Sequence, residues 1–274
     1  MNAAVLGLLA AIAIATGSGI TREMVQRLPP RQLIGPLYAC NALILVPFVP
    51  FSHWEWSETV VVLLCTSALV VSLQALSVFE LFTHGSASAT TTAQATSPIA
   101  AAIGSAILVP ATFDWVEIAV GASVIVGLLG SLTGSFPNLQ KGRTLFTAGV
   151  ASVTTGMTTV LARQLADEGV GLVQTYTIRT AFAAVLFVLF IPPTDLPRRE
   201  IPMIVARSSF ITLGWCLSIL GVQRGSPTVI QTMMATTPMW LIGWERIHQG
   251  RLPSTRSILA ASLVVAGILV TLVW

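Results

Sequence analysis

Apolar positions in this chain fall in long runs, neither alternating as in strands nor confined to one helical stripe, and short polar turns separate the runs. Ten runs can be cut, over 3–20, 34–51, 59–82, 88–109, 116–134, 144–164, 171–191, 203–222, 227–247 and 257–274. A hydrocarbon core about 30 Å thick is crossed by roughly 20 helical residues. Backbone groups at that depth must be satisfied within the segment, so each run is predicted to be a transmembrane α-helix. The breaks carry turn or charge signals, such as Leu28-Pro29-Pro30-Arg31, Asp167-Glu168-Gly169, Pro192-Pro193-Thr194-Asp195 and Gly250-Arg251-Leu252-Pro253. The expected fold is an all-α integral membrane protein of ten transmembrane helices. Almost nothing is left over for an extramembrane domain, so any function must reside among the helices. Ala11-Ile12-Ala13 imitates a signal-peptide cleavage site, but Met1-Asn2-Ala3 offers no basic n-region, and the first run is expected to stay as a helix.

Composition sharpens this picture. Of 274 residues, 54% are hydrophobic and 9% charged, against about 25% charged in an ordinary soluble domain. A water-soluble globular enzyme is thereby excluded. Fourteen Lys+Arg and eleven Asp+Glu leave a formal charge of +3, carried in short loops, so there is no footprint for nucleic acid. The three cysteines, Cys40, Cys65 and Cys216, all lie in apolar runs without CxxC spacing and read as small buried hydrophobes. The loops after the odd-numbered runs hold ten Lys and Arg residues and those after the even-numbered runs only Arg163 and Arg224. By the positive-inside rule both termini are expected outside.

Sliding the chain on itself by 140 positions aligns 85–134 with 225–274 without a gap and with twelve identities, among them Gly85/Gly225, Thr96/Thr236, Pro98/Pro238 and Gly127/Gly267. Ala95-Thr96-Ser97-Pro98 matches Ala235-Thr236-Thr237-Pro238, each in mid-run, and a shift of 141 places Arg22 on Arg163. The chain thus divides into a five-helix repeat over 1–135, a connecting loop over 136–143 and a second repeat over 144–274, together one membrane domain. Five helices is an odd number, so the second copy enters from the opposite side. Such inverted repeats enclose a site near the bilayer midplane that rocking exposes to each side in turn, which points to a secondary transporter.

The segment Ala235-Thr236-Thr237-Pro238-Met239-Trp240-Leu241-Ile242-Gly243-Trp244-Glu245-Arg246, the later Gly267-Ile268-Leu269-Val270, and Arg179 within Tyr176-Thr177-Ile178-Arg179-Thr180 resemble the drug/metabolite transporter superfamily and, within it, the EamA-like ten-helix carriers. The first repeat departs from that pattern. Ser105 stands where the second has Glu245, and near the position matching Arg179 it offers Asn41. The resemblance implies export of a small metabolite, often with proton coupling, at the plasma (inner) membrane, with helices 5 and 10 peripheral, no cofactor, and cytoplasmic termini, against the loop count.

Residue by residue, Pro98 and Pro238 each remove a helical donor and free a carbonyl about four residues earlier, which suits a hinge or cavity wall. Thr96 and Thr236 either touch substrate or let helices approach closely, whereas the longer Gln94 and Gln231 are costlier to bury and belong to the pathway. Arg179 costs at least ~2.5–3.5 kcal/mol inside a span unless it is partnered. It either anchors an anionic group such as a substrate carboxylate or forms a structural pair. Arg207, nearer a run's start, is expected to snorkel. Tyr176, Trp215 and Trp240 lie inside runs and either line a pocket or pack in the core, and Asn41 lies in the second run, while Trp54, Trp56, Trp115 and Trp274 read as interfacial anchors. Glu80 and His84 lie one turn apart and are candidates for proton coupling. Gly130 and Gly134 form a GxxxG pair that bears on whether the chain is a monomer or a homodimer.

The favoured partners are therefore the lipid bilayer and a small polar or zwitterionic metabolite such as an amino acid. A lipid-linked-sugar flippase and a non-transporting membrane subunit are the alternatives. A membrane enzyme would need converging acids, histidines or a metal cluster, and His53, His84 and His248 are scattered.

Overall fold

The computed structural model describes residues 2–84, 90–91, 93–109, 142–192 and 196–249. Among them the helices are α1 (Ala3–Arg27), α2 (Pro30–Leu45), α3 (Glu58–His84), α4 (Ser97–Leu108), α5 (Gly142–Asp167), α6 (Leu172–Phe190), α7 (Ile201–Val222), α8 (Pro227–Met234) and α9 (Thr237–Gln249). Six helical stretches are long and apolar enough to span a membrane, over Ala3–Arg27, Pro30–Phe51, Glu58–His84, Arg143–Asp167, Leu172–Phe190 and Arg198–Val222. Predicted runs 116–134 and 257–274, with Gly130, Gly134, Trp115 and Trp274, lie outside the described residues; of the eight runs that remain, six form such spans among the described residues.

The fourth and ninth runs differ from the prediction in kind. Each is broken at its proline. In the first repeat a 3-10 turn over Gln94–Thr96 precedes α4, whose second residue is Pro98. In the second, α8 stops at Met234 and α9 restarts at Thr237, just ahead of Pro238. Pro238 cannot donate to the Met234 carbonyl one turn earlier, and the Thr237 hydroxyl donates to that carbonyl instead, at 2.5 Å. Pro47 and Pro50 act similarly at the end of α2, which tightens into a 3-10 turn over Val46–Phe51. The α5–α6 turn follows the Asp167-Glu168-Gly169 signal. Gly169 takes φ +82°, the Val170 N–H donates to the Leu165 carbonyl at 2.8 Å, and the Gly169 N–H donates to Ala166 at 3.0 Å, a Schellman closure that suits glycine.

Helix packing is two-fold symmetric between the repeats. Helix α1 runs along α7 and, in the equivalent pairing, α3 runs along α5. The broken segment of the second repeat (α8, α9) lies on α1 as α4 lies on α5, while α2 packs on α6. These principal pairings all join a helix of one repeat to a helix of the other. The same relation reaches individual hydrogen bonds. Arg22 of α1 donates to the Phe82 carbonyl at the end of α3, and Arg163 of α5 donates to the Val222 carbonyl at the end of α7, at 3.1 Å. A guanidinium at a helix C-terminus satisfies a carbonyl that has no helical donor, and both partners of this contact recur 140 or 141 positions later.

Side chains are arranged as a bilayer requires. Phe51, Ile107, Phe146, Leu189 and Phe190 point outward, whereas Thr90, Thr91 and Ser97 of the polar fourth run are buried against other helices. Met24, Leu33, Leu37, Phe79, Ala183 and Phe187 pack where α1, α2, α3 and α6 meet. Two expectations are corrected. Cys65 is exposed on the outer face of α3, so only Cys40 and Cys216 are partly covered. Arg207 does not snorkel. A short 3-10 turn over Arg198–Glu200 leads into α7, which puts Arg207 nearly two turns inside the helix and 6% exposed.

Candidate functional site

Between the two repeats lies a cavity of about 90 Å³. Its wall draws on α1 (Ser18, Thr21), α2 (Tyr38), α3 (Gln74, Phe79), α5 (Thr155), α7 (Arg207, Trp215) and both broken segments (Thr91, Gln94, Ser97; Gln231, Thr237). On a scale where one water needs about 10–15 Å³, it has room for several waters or one small solute. Breaking the fourth and ninth helices brings their amides and hydroxyls to this wall. Gln231 is fully buried. Its Nε2 donates to the Thr155 carbonyl (3.1 Å) and to Thr159 Oγ1 (3.2 Å), and its Oε1 accepts from Ser97 Oγ (2.8 Å). Thr155 Oγ1 accepts from Gln74 Nε2 (2.8 Å) and shares its one proton between the Ala151 carbonyl (2.6 Å) and Gln94 Oε1 (3.3 Å). This amide and hydroxyl chain ties α3, α5 and the two broken segments together through groups that would be costly to leave unpaired in hydrocarbon.

The charge at the cavity is Arg207. Its Nε donates to Thr21 Oγ1 at 3.0 Å and its Cζ lies 5.9 Å from the centre of the Phe79 ring, while Nη1 is buried without a hydrogen-bond partner. A second, smaller cavity of about 20 Å³ adjoins the first and shares Tyr38, Gln74, Ile211 and Trp215 with it. Asn41, Val71, Tyr176, Arg179 and Thr180 complete its wall. Arg179, 2% exposed, sits between two rings with its Cζ 5.3 Å from the centres of both Tyr176 and Trp215. Its Nε and Nη1 have no hydrogen-bond partner. Among the described residues lining either cavity there is no Asp, Glu, Lys or His. Each ring returns about 0.5–2 kcal/mol, against an effective penalty of several kcal/mol for an unpaired buried ion. Two guanidiniums with no carboxylate among the described lining make this interior electropositive.

The structure therefore gathers Gln94, Gln231 and Trp215 at the larger cavity and Asn41, Tyr176, Arg179 and Trp215 at the smaller one. Thr96 is hydrogen-bonded to Ser152, and Thr236 donates to the Met233 carbonyl (2.8 Å) while accepting from Trp240 Nε1 (3.2 Å). Both threonines brace the helix breaks and neither lines a cavity. Pro98 and Pro238 are buried at those breaks. Glu80 and His84 sit together at the end of α3, where Arg143 donates to Glu80 Oε1 at 2.8 Å and His84 lies 3.5 Å from it. This cluster is solvent-accessible and outside both cavities. Glu80→Gln is accordingly expected to change stability by less than about 1 kcal/mol, as exposed pairs do, and to leave solute affinity within about twofold. A solute-binding titration combined with a melting curve checks both. The sequence reading did not name Gln74 or Tyr38, and it assigned Arg207 to the interface rather than to the cavity. A lone amide in the middle of an otherwise apolar run was available as a signal for Gln74.

The comparisons with known proteins agree with this architecture. A crystal structure of another protein superposes with a TM-score of 0.77 at 15% identity, over 99% of this chain and 96% of that one, and is one of 29 matching solved chains. That likeness speaks for the fold. No curated protein sequence matches the chain at a significant level. The sequence model of the EamA-like transporter family matches twice, over residues 1–133 and 142–273. With two matches covering nearly its whole length, the chain belongs to the EamA-like transporter family and is a multi-pass membrane transporter of the drug/metabolite type.

Proposed function

We propose that the protein is a secondary active transporter, working as an exporter at the plasma membrane, for a small metabolite that bears a carboxylate, an amino acid being the representative case. The observation that carries this reading is a cavity built by both repeats that holds the Arg207 guanidinium and no carboxylate among its described lining. The Arg207 guanidinium at the cavity wall, whose Nη1 has no hydrogen-bond partner, suits a substrate carboxylate. The carbonyl ends of Gln74 and Gln94, the Thr91 hydroxyl and the face of Trp215 suit the polar or cationic remainder of a zwitterion. Alternating access then moves α1 with α7, α8 and α9 against α3 with α4 and α5, the two symmetry-related packing groups. The helix breaks ahead of Pro98 and Pro238 are the points where the broken segments flex.

The test is a ligand-stabilisation screen on the purified protein in detergent with amino acids, nucleosides, sugars and organic cations. A binder present at 100 times its Kd stabilises the native state by about 2.7 kcal/mol. Carboxylate-bearing compounds are expected to raise the Tm and to undergo counterflow in proteoliposomes. If organic cations or lipid-like compounds alone raise it, the reading is wrong.

A further inference from the structure

Arg179 does not face the larger cavity directly. It occupies the small one behind Trp215 and Tyr38, whose volume of about 20 Å³ admits one or two atoms the size of water and is too tight for a metabolite. The guanidinium is always charged, nine-tenths and more buried, and clamped between the Tyr176 and Trp215 rings, so it cannot turn away to water. Its Nε and Nη1 are buried and without a hydrogen-bond partner, and the residue lines the cavity. Across the same cavity the buried Asn41 Oδ1 is also without a partner. An amide whose oxygen has no donor is free to be read turned over, with its NH₂ inward, which lets Asn41 act as a donor beside the guanidinium. Tyr176, by contrast, is engaged with the Thr212 hydroxyl at 3.1 Å, and Thr180 donates to the Tyr176 carbonyl at 2.7 Å. A neutral water would satisfy the donors and leave the charge uncompensated.

We propose that the Arg179 cavity is a binding site for a single small inorganic anion, a halide such as chloride, held by Arg179 and Asn41 beside the metabolite cavity. The anion neutralises a cation that no described carboxylate reaches. Trp215 is the wall between the two compartments and Tyr38, Gln74 and Ile211 line both, so the halide enters by way of the larger cavity and its charge is felt there. The site stands independently of which metabolite is carried.

The experiment is a melting series on the purified full chain in methanesulfonate, in which chloride or bromide replaces methanesulfonate at constant ionic strength, followed by anomalous scattering from crystals grown in bromide. The Tm is expected to rise by several degrees and to saturate, with one bromide peak at the Arg179 guanidinium. Arg179→Gln is expected to abolish the response, whereas Arg207→Gln retains it. Should Arg179→Gln not fold, Asn41→Asp provides a second arm. It supplies the negative charge from the protein and is expected to melt in methanesulfonate as the parent does in chloride, without further response to halide. A flat series, a halide response surviving in Arg179→Gln or in Asn41→Asp, or stabilisation by formate and acetate but not by chloride would each overturn the proposal, the last by assigning the cavity to a substrate carboxylate.

Discussion

Arg207→Gln is expected to weaken binding of the carried solute by about 10- to 100-fold, because a hydrogen bond to a charged group is worth about 1.5–3 kcal/mol and 1.4 kcal/mol is tenfold in affinity. The same substitution should leave the empty protein as stable as the parent or more so, since it removes a buried cation that lacks a carboxylate partner. Glutamine keeps a donor within range of Thr21, which in the parent accepts from Arg207 Nε at 3.0 Å. Opposite signs for affinity and stability separate this role from a structural one, in which both would fall together. Arg207→Lys should recover part of the affinity, because the ammonium keeps the charge and loses the planar fork that suits a carboxylate. Isothermal titration with the best ligand from the screen, together with melting of the empty protein, decides the matter. Unchanged affinity in the glutamine variant would remove Arg207 from the binding site.

Gly156→Ala should be the most disruptive single methyl group in the described helices. A Cβ at Gly156 of α5 would stand 2.6 Å from the Ser97 carbonyl oxygen, 2.7 Å from the Ala101 nitrogen and 2.8 Å from the Ala100 Cβ. Two of those atoms belong to the α4 backbone and cannot turn aside as a side chain would. Overpacking of this kind costs about 1–3 kcal/mol. Small residues at such crossings are what allow membrane helices to approach closely. The effect should extend to the site, because displacing Ser97 breaks its 2.8 Å bond to Gln231 Oε1. Gly149, two turns earlier on the same helix, is the internal control. Nothing lies within 4 Å of a Cβ there, so Gly149→Ala should be neutral or stabilise by up to about 1 kcal/mol through helix propensity. Equal melting temperatures for the two alanine variants would refute the close crossing of α4 and α5.

The polar chain through Gln74, Thr155, Gln94, Gln231 and Ser97 and the isolated guanidiniums do different work. The amides and hydroxyls are mutually satisfied and hold the broken segments in place, which preorganises the cavity. The arginines are left with unpaired donors, a cost that a ligand's negative charge can offset.

Much of this protein was legible in the order of its residues. Run lengths located the spans, because a bilayer imposes a length. The recurrence of Ala-Thr-Ser/Thr-Pro after 140 positions located the paired breaks, because proline removes the same hydrogen bond wherever it stands in a helix. The Arg22 and Arg163 pairing was visible as a repeat, though its purpose, closing the ends of α3 and α7, was not. What the order of residues left undecided is which face of each helix looks inward. Lipid and protein interior are both apolar, so hydrophobicity cannot tell an inner face from an outer one. Arg207 was therefore read as reaching for the interface when it lines the cavity, Gln74 went unnoticed, and Cys65 was taken as buried. Only the tertiary structure placed Arg207 in the larger cavity and Arg179 in the smaller. That assignment depends on helix rotation and on long-range packing of α2, α6 and α7, which no local pattern encodes.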